Sequence, residues 1–371
     1  MTFRDDFEAG EAADMNTTTS SHNTPNTQTQ SVQPRRGRRI LRRIGRGLKW
    51  LGIGIVAILV LGFVFQAVSV EFDKRGYLPP GQIVNVDGHM MHIYCTGSGS
   101  PTVILEAGAY SYSTEWYWVQ RQISTTNRVC SYDRAGYGWS EPVGGARDGL
   151  QLVHELHSLL KAANVPGPYV MAGHSLGGVT DPIYASEYPG DVLGIVLVDS
   201  AIPLTSMDIS DYEKYKSQNE SAYWLLSALV RFGAARFIIG REVSGYGLPP
   251  AVAAELTALK STNQAVDTWD TEVRQSLLKL SQQAKAAQDF GTRPLIILWA
   301  GHPELTAPED RAKLKTIWSQ VAVHSSNSVT RVIDGADHGS IQGNEQYAAQ
   351  ISDAIREVIE SARTGQSLAS N

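Results

Sequence analysis

The pentapeptide Gly173-His174-Ser175-Leu176-Gly177 directly follows the apolar run Tyr169-Val170-Met171-Ala172 and opens a helical stretch, Leu176–Tyr188. A strand that turns into a helix across one serine has few structural solutions. The turn must be sharp, and the flanking glycines avoid a Cβ that would collide there. The serine hydroxyl is thereby lifted above the end of a strand, at a helix N-terminus that favours negative charge. This context predicts Ser175 as a nucleophile rather than a member of a chance glycine-serine turn.

The flanking sequence alternates in the same manner. Short β-rich runs at Ile83–Val86, Met90–Cys95, Thr102–Leu105, Arg128–Tyr132, Tyr169–Ala172, Gly194–Val198, Leu295–Trp299 and Val329–Ile333 are separated by helical stretches such as Gly149–Ala163 and Asn344–Ala362. Runs as apolar as Ile195-Val196-Leu197-Val198 suit parallel strands covered by helices on both faces, which predicts an α/β sheet. Between Asp199 and Arg293 no strand is legible. An unstructured loop of that length is unusual, so residues 201–291 are expected to form a helical cap over the catalytic edge, inserted into a core of residues 71–200 and 292–364. Residues 365–371 read as a flexible tail.

A serine hydroxyl needs a base, and the chain has nine histidines. His22 lies in a polar tail, while His89 and His92 lie on early strands. His154 and His157 share a helix without the H-E-x-x-H spacing of a zinc site. His174 adjoins the serine in sequence and is badly placed to face it. His302 and His324 have no motif around them. His338, in Gly335-Ala336-Asp337-His338-Gly339 after the last strand, falls at the same sheet edge as Ser175 and is the expected base. Two carboxylates compete for the third place, Asp199 at the end of the sixth strand and Glu304 on a Pro-containing loop after the seventh. A strand end holds a side chain more rigidly than a loop, which favours Asp199, with Glu304 as the alternative.

From about Ile83 to Ala362 the chain resembles the α/β-hydrolase fold family, on the pentapeptide at Ser175, the turn Asp133-Arg134-Ala135-Gly136-Tyr137-Gly138-Trp139-Ser140, and His338 near the end. The order nucleophile, acid, histidine agrees. The resemblance implies eight strands in the order 1-2-4-3-5-6-7-8, mostly parallel, with the second antiparallel. That order makes the strands bearing Cys95 and Cys130 neighbours, and so implies a disulfide between them. It also implies an oxyanion hole built from the N–H of Leu176 and of Ala109, in Glu106-Ala107-Gly108-Ala109-Tyr110, where many relatives carry His-Gly and this chain has Ala107-Gly108. No metal and no organic cofactor are implied. Asp181-Pro182 departs from a regular helix after the nucleophile, and the sequence supplies no functional reason for it.

The N-terminal region follows a different logic. Residues 1–34 are polar and repetitive, the composition of a disordered tail. Residues 35–49 carry eight basic residues and no acid, and Trp50–Val70 carries no charge at all. Twenty-one helical residues span about 30 Å, the thickness of a bilayer's hydrocarbon core. The basic flank predicts a single transmembrane helix at 50–70 with the N-terminus cytoplasmic and the catalytic domain outside. A signal peptide cleaved near Ala67-Val68-Ser69 is the competing reading, and it too places the domain outside the cytoplasm, where cysteines can pair. Nine of the 32 Lys/Arg and five of the 37 Asp/Glu precede position 71, so the remainder carries a net charge of -9. Such a surface is unsuited to nucleic acid.

The expectation is a membrane-anchored serine hydrolase acting on a carboxylic ester, its substrate a small or lipid-like acyl compound. A serine peptidase or amidase of the same fold is the alternative. A non-catalytic ligand-binding member is the alternative from another class. Oligomeric state is not legible.

Overall fold

Eight strands form one sheet whose order is β1-β2-β4-β3-β5-β6-β7-β8. They are β1 (Gln82–Val86), β2 (His89–Thr96), β3 (Thr102–Glu106), β4 (Val129–Tyr132), β5 (Tyr169–His174), β6 (Val192–Val198), β7 (Leu295–Ala300) and β8 (Ser328–Ile333). β2 runs antiparallel to β1 and β4, and every other pairing is parallel. The computed structural model describes residues 35–145, 147–200, 209–302 and 308–369. The polar tail at 1–34 and the alternative acid Glu304 lie outside the described residues.

The central strands alternate their side chains between two cores, as the two-residue period requires. Ile104, Met171, Ile195, Leu197 and Ile297 face one layer, containing α3 (Gly149–Ala162) and α4 (Gly177–Glu187). Val103, Leu105, Val170, Val196, Val198 and Leu298 face the other, containing α2 (Tyr117–Ile123) and α12 (Glu345–Thr364). Covering both faces explains why these strands read as unbroken apolar runs. Cys95 and Cys130 stand opposite each other across β2 and β4 and are joined as a disulfide.

Between β6 and β7 the described residues are helical: α5 (Ile209–Arg231), α6 (Ala235–Val243), α7 (Pro250–Lys260), α8 (Asn263–Trp269), a π-turn at Asp270–Gln275 and α9 (Leu277–Ala286). A further helix, α10 (Pro308–Ala322), joins β7 to β8, and α11 (Ser340–Gly343) follows the His338 loop. Residues Val56–Asn371 form one compact unit. The N-terminal helix α1 (Arg35–Gly76) extends the expected 50–70 segment in both directions. It is, among the described residues, a helix long and apolar enough to cross a membrane.

Candidate active site

The turn after β5 places Ser175 in the left-handed region, with φ of 52°. Such strain is held only where surrounding packing over-determines it. Here the packing is tight. A Cβ on Gly173 would lie 2.5 Å from the carbonyl carbon of Gly177, and one on Gly177 would lie 2.4 Å from the Glu106 carbonyl oxygen. Both glycines are therefore required by close approach, and the Ser175 N–H donates to the Val198 carbonyl at 3.2 Å.

Three expected side chains meet above this turn. His338 Nε2 lies 3.0 Å from Ser175 Oγ, and His338 Nδ1 lies 2.6 Å from Asp199 Oδ2. Asp199 ends β6 with φ of 41° and is 7% exposed. Burial works against its charge. Hydrogen bonds from His302 and His338, the field of His338 and the Ala300 N–H together outweigh burial, holding the carboxyl well below the usual carboxylate range. An ionised carboxylate can only accept, so Nδ1 of His338 carries the hydrogen and Nε2 presents its lone pair to the serine hydroxyl.

Two more histidines, set aside in the sequence, touch this constellation. His302 Nε2 lies 3.3 Å from Asp199 Oδ1, to which the Ala300 N–H also donates at 3.0 Å. The acid is thus gripped on both oxygens. Its only sequence signal was a position just past β7, at the same edge as Asp199. His174 turns away from the serine, and its Nε2 lies 3.0 Å from the His338 carbonyl oxygen. A carbonyl only accepts, so Nε2 carries the hydrogen. Burial first, and then His338, push its pKa down to about 3. A neutral His174 therefore clips the Ser175 turn to the loop that carries His338.

The loop after β3 passes directly over Ser175, since a Cβ on Gly108 would lie 3.0 Å from the Ser175 Cβ. Ala109 follows in this loop, and Leu176 caps the N-terminus of α4, where helical N–H groups have no intrahelical partner. Arg134, from the Asp133–Ser140 turn, donates from Nη1 to the Ala107 carbonyl at 2.5 Å and from Nη2 to the Gly108 carbonyl at 2.7 Å. The Gly108 carbonyl and the Ala109 N–H belong to one planar peptide and point in opposite directions. Holding that carbonyl fixes where the N–H aims. Glu272 in the π-turn of the helical insertion takes the other side of the guanidinium, 3.1 Å from Nε, and Arg147 links Glu272 to Glu155. Two Arg and two Glu balance the buried charge. The sequence showed the turn but not its target, which lies 26 residues away.

Asp133 anchors the same turn, accepting from the Ser113 N–H and His92 Nδ1, both at 2.8 Å. His92 Nε2 faces the Pro80 carbonyl at 2.6 Å, so both ring nitrogens meet acceptors. Burial disfavours the charged ring, but the hydrogen bond and charge of Asp133, helped by Pro80, outweigh it and raise the His92 pKa.

Asp181 is fully buried beneath Gly173, in the same fold layer as Glu106, which accepts from Thr180 Oγ1 at 2.6 Å. Burial pushes both carboxyls up, Glu106 to about 7. A carboxyl whose folded pKa lies above its ordinary 4.5 contributes stability that is complete below 4.5 and lost as pH rises through 7. His92 titrates with the same sign. Neutral His174 opposes these groups only below its ordinary 6.5, so the thermal midpoint is expected to fall by about 5 °C between about pH 6.5 and about pH 8. Glu106→Gln, followed by calorimetry, is expected to narrow that gap; an unchanged gap would assign the slope elsewhere.

Residues 99–353 match the Alpha/beta hydrolase family. Among curated proteins, YbdG of Bacillus subtilis (strain 168), itself uncharacterized, is 29% identical over 159 residues, which is 42% of this chain and 49% of that protein. The uncharacterized YqjL of the same organism is 37% identical over 118 residues, 32% of this chain and 47% of that protein. The matched region thus spans about half the length of these curated relatives. Among solved structures, a thermophilic esterase from Thermogutta terrifontis superposes with a TM-score of 0.55 at 18% identity, covering 76% of this chain and 99% of that one. A putative lipase from Acinetobacter baumannii AYE gives 0.58 at 20%, covering 81% and 97%. An epoxide hydrolase from Bacillus megaterium gives 0.58 at 15%, covering 74% and 99%. At such identities the structural likeness bears on the fold. The family match spans most of the sheet and both of its flanking layers, and this chain belongs to the alpha/beta hydrolase family.

Proposed function

We propose that this chain is a membrane-anchored serine hydrolase that cleaves carboxylic esters through Ser175, His338 and Asp199. The observation that carries the reading is the continuous path from Asp199 Oδ2 through both nitrogens of His338 to Ser175 Oγ, at 2.6 and 3.0 Å. His338 Nε2 removes the Ser175 proton as Oγ attacks the substrate carbonyl carbon. The displaced electron pair becomes an oxyanion, stabilised by the N–H groups of Leu176 and Ala109. Collapse of the tetrahedral intermediate expels the alkoxide, which takes the proton from Nε2. Water then attacks the acyl-serine, giving its proton to His338, and the acid product leaves as Ser175 Oγ is reprotonated. A serine at the turn favours acyl transfer over epoxide opening, which in this fold uses an aspartate nucleophile. A burst of p-nitrophenolate stoichiometric with the chain, from p-nitrophenyl esters, tests the acyl-enzyme. Turnover without a burst calls for mass spectrometry of the acid-quenched chain, where an acyl adduct on Ser175 supports the reading and its absence contradicts it. No turnover from a folded chain contradicts the reading.

Arg134 is a positioning residue in this scheme, acting through the Gly108–Ala109 peptide. Arg134→Lys keeps the charge but loses the two-carbonyl fork. Loss of one well-aimed oxyanion donor costs roughly 10²–10³ in kcat. Arg134→Lys is expected to lower kcat about 100-fold with KM little changed. A fall confined to KM would place Arg134 in substrate binding instead.

The anchor is Trp50–Val70 within α1, with the N-terminus cytoplasmic and the hydrolase domain outside. The basic run before it supports that orientation, as does the Cys95–Cys130 disulfide, a bond that persists in oxidising compartments.

A further inference from the structure

Within the compact unit, the C-terminal half of α1 packs on the helical insertion. Gln66, 5% exposed, donates from Nε2 to the Ser261 carbonyl at the end of α7, at 2.7 Å. A Cβ on Gly62 would meet the Phe232 carbonyl oxygen at 2.7 Å, and one on Gly233 would meet the Phe65 ring at 2.6 Å. The rings of Phe65 and Phe237 stack at 6.3 Å. Arg236 pairs with Asp73, just past the uncharged run, at 2.7 Å.

These contacts fix a depth. Gly62 precedes Val70, the end of the uncharged run, by eight residues, about 12 Å along a helix axis. Phe65 lies about 8 Å from that end. Phe232, Gly233 and Phe237 form the corner where α5 and α6 meet, bent by 103°. Whatever layer holds Gly62 and Phe65 therefore holds this corner too. The corner's outward side chains suit that layer: Trp224, Leu225, Phe237 and Ile238 are 57–73% exposed. The two helices together are apolar enough for a broken or re-entrant membrane element. The exposed Arg231 and Arg241 flank the patch, and long guanidinium stems can reach up to lipid phosphates.

We propose that the α5–α6 corner is inserted into the same bilayer as the anchor, with acyl chains covering Trp224, Leu225, Phe237 and Ile238 and headgroup phosphates meeting Arg231 and Arg241. This rests on the anchor reading of Trp50–Val70. An insertion of about 10 Å matches the depth at which amphipathic helices lie in a membrane interface. The contacts also run from the anchor to the site. Gln66 holds Ser261, and its neighbour Lys260 bonds from Nζ to the Tyr110 carbonyl at 2.9 Å, one residue beyond Ala109. The helical insertion thus presses the oxyanion loop from the membrane side, and the site takes ester substrates carried in the lipid phase.

The test uses the full chain in phosphatidylcholine–phosphatidylglycerol vesicles whose acyl chains carry a nitroxide quencher. A fluorophore is placed on Leu225→Cys, Ile238→Cys, Val64→Cys in the anchor, or Arg363→Cys at the far end of α12. The two natural cysteines are disulfide-bonded and do not compete for label. Quenching at Leu225 and Ile238 comparable to Val64, with none at Arg363, is the expected result. Quenching at Val64 alone would overturn the insertion while leaving the anchor standing. No quenching at any position would remove both. Cap labels shielded from aqueous iodide yet untouched by lipid quencher would put a second copy of the chain on this face, also overturning the proposal.

Discussion

Ser175→Ala is expected to abolish ester turnover, lowering kcat about 10⁶-fold, and His338→Ala is expected to match it within an order of magnitude. The near-equality is the informative part. Nucleophile and base act as one unit, so removing either leaves only substrate binding and the oxyanion donors. The double variant should therefore be no worse than either single one. The measurement is steady-state hydrolysis of p-nitrophenyl esters by the full chain in detergent, with circular dichroism to show each variant folded. Strictly multiplicative losses would mean that the two residues act independently, which the 3.0 Å contact between them does not support.

Asp199→Asn is expected to lower kcat about 10⁴-fold with little change in fold. The geometry dictates why an amide cannot substitute. The Ala300 backbone N–H donates to Asp199 Oδ1 at 3.0 Å and has no alternative role to adopt. An asparagine must therefore aim its oxygen at Ala300, which turns its NH2 toward Nδ1 of His338. That ring nitrogen must then accept, which moves the hydrogen to Nε2 and leaves no lone pair for the serine proton. Glu304→Gln serves as the comparison and is expected to retain activity within about threefold, the scale of a substitution that removes no catalytic group. A reversal of the two effects, seen in kcat, would give the acid's role to Glu304.

How far the sequence could lead depended on the range of each interaction. The sharp strand-to-helix turn at Ser175 was legible because its cause is local: Gly173 and Gly177 are demanded by contacts of the turn with itself and with the adjacent strand β3. The strand order was legible through the resemblance, and it brought Cys95 opposite Cys130. His338 was expected at this edge from its place after the last strand, and it lies 3.0 Å from Ser175 Oγ. The choice of acid was harder, because Asp199 reaches His338 across 139 residues of chain that include the helical insertion. Rigidity of a strand end was the available argument, and the structure adds the grip of Ala300 and His302 on Asp199.

Other features were not legible at all, for a physical reason. Arg134 contacts the Ala107 and Gly108 carbonyls only because β4 pairs beside β3 and brings its following turn over the β3 loop. His174 clips to the His338 carbonyl, a contact that depends on a loop 164 residues away. The packing of Gln66 against Ser261 joins segments 195 residues apart. A polar residue inside an otherwise uncharged run was its single trace in the sequence. Each of these is a side chain meeting backbone from a distant element, a pairing that periodicity and motif spacing do not encode.

The most direct test of the central claim is labelling of the detergent-solubilised full chain with a fluorophosphonate, followed by peptide mapping of the adduct. Such a probe reacts only with a serine whose proton is being withdrawn and whose oxyanion is held. The account predicts one adduct per chain, on Ser175, absent from Ser175→Ala, sharply slowed in His338→Ala and Asp199→Asn, and unchanged in Glu304→Gln. A folded chain that takes no label, or takes it on another residue, would contradict it.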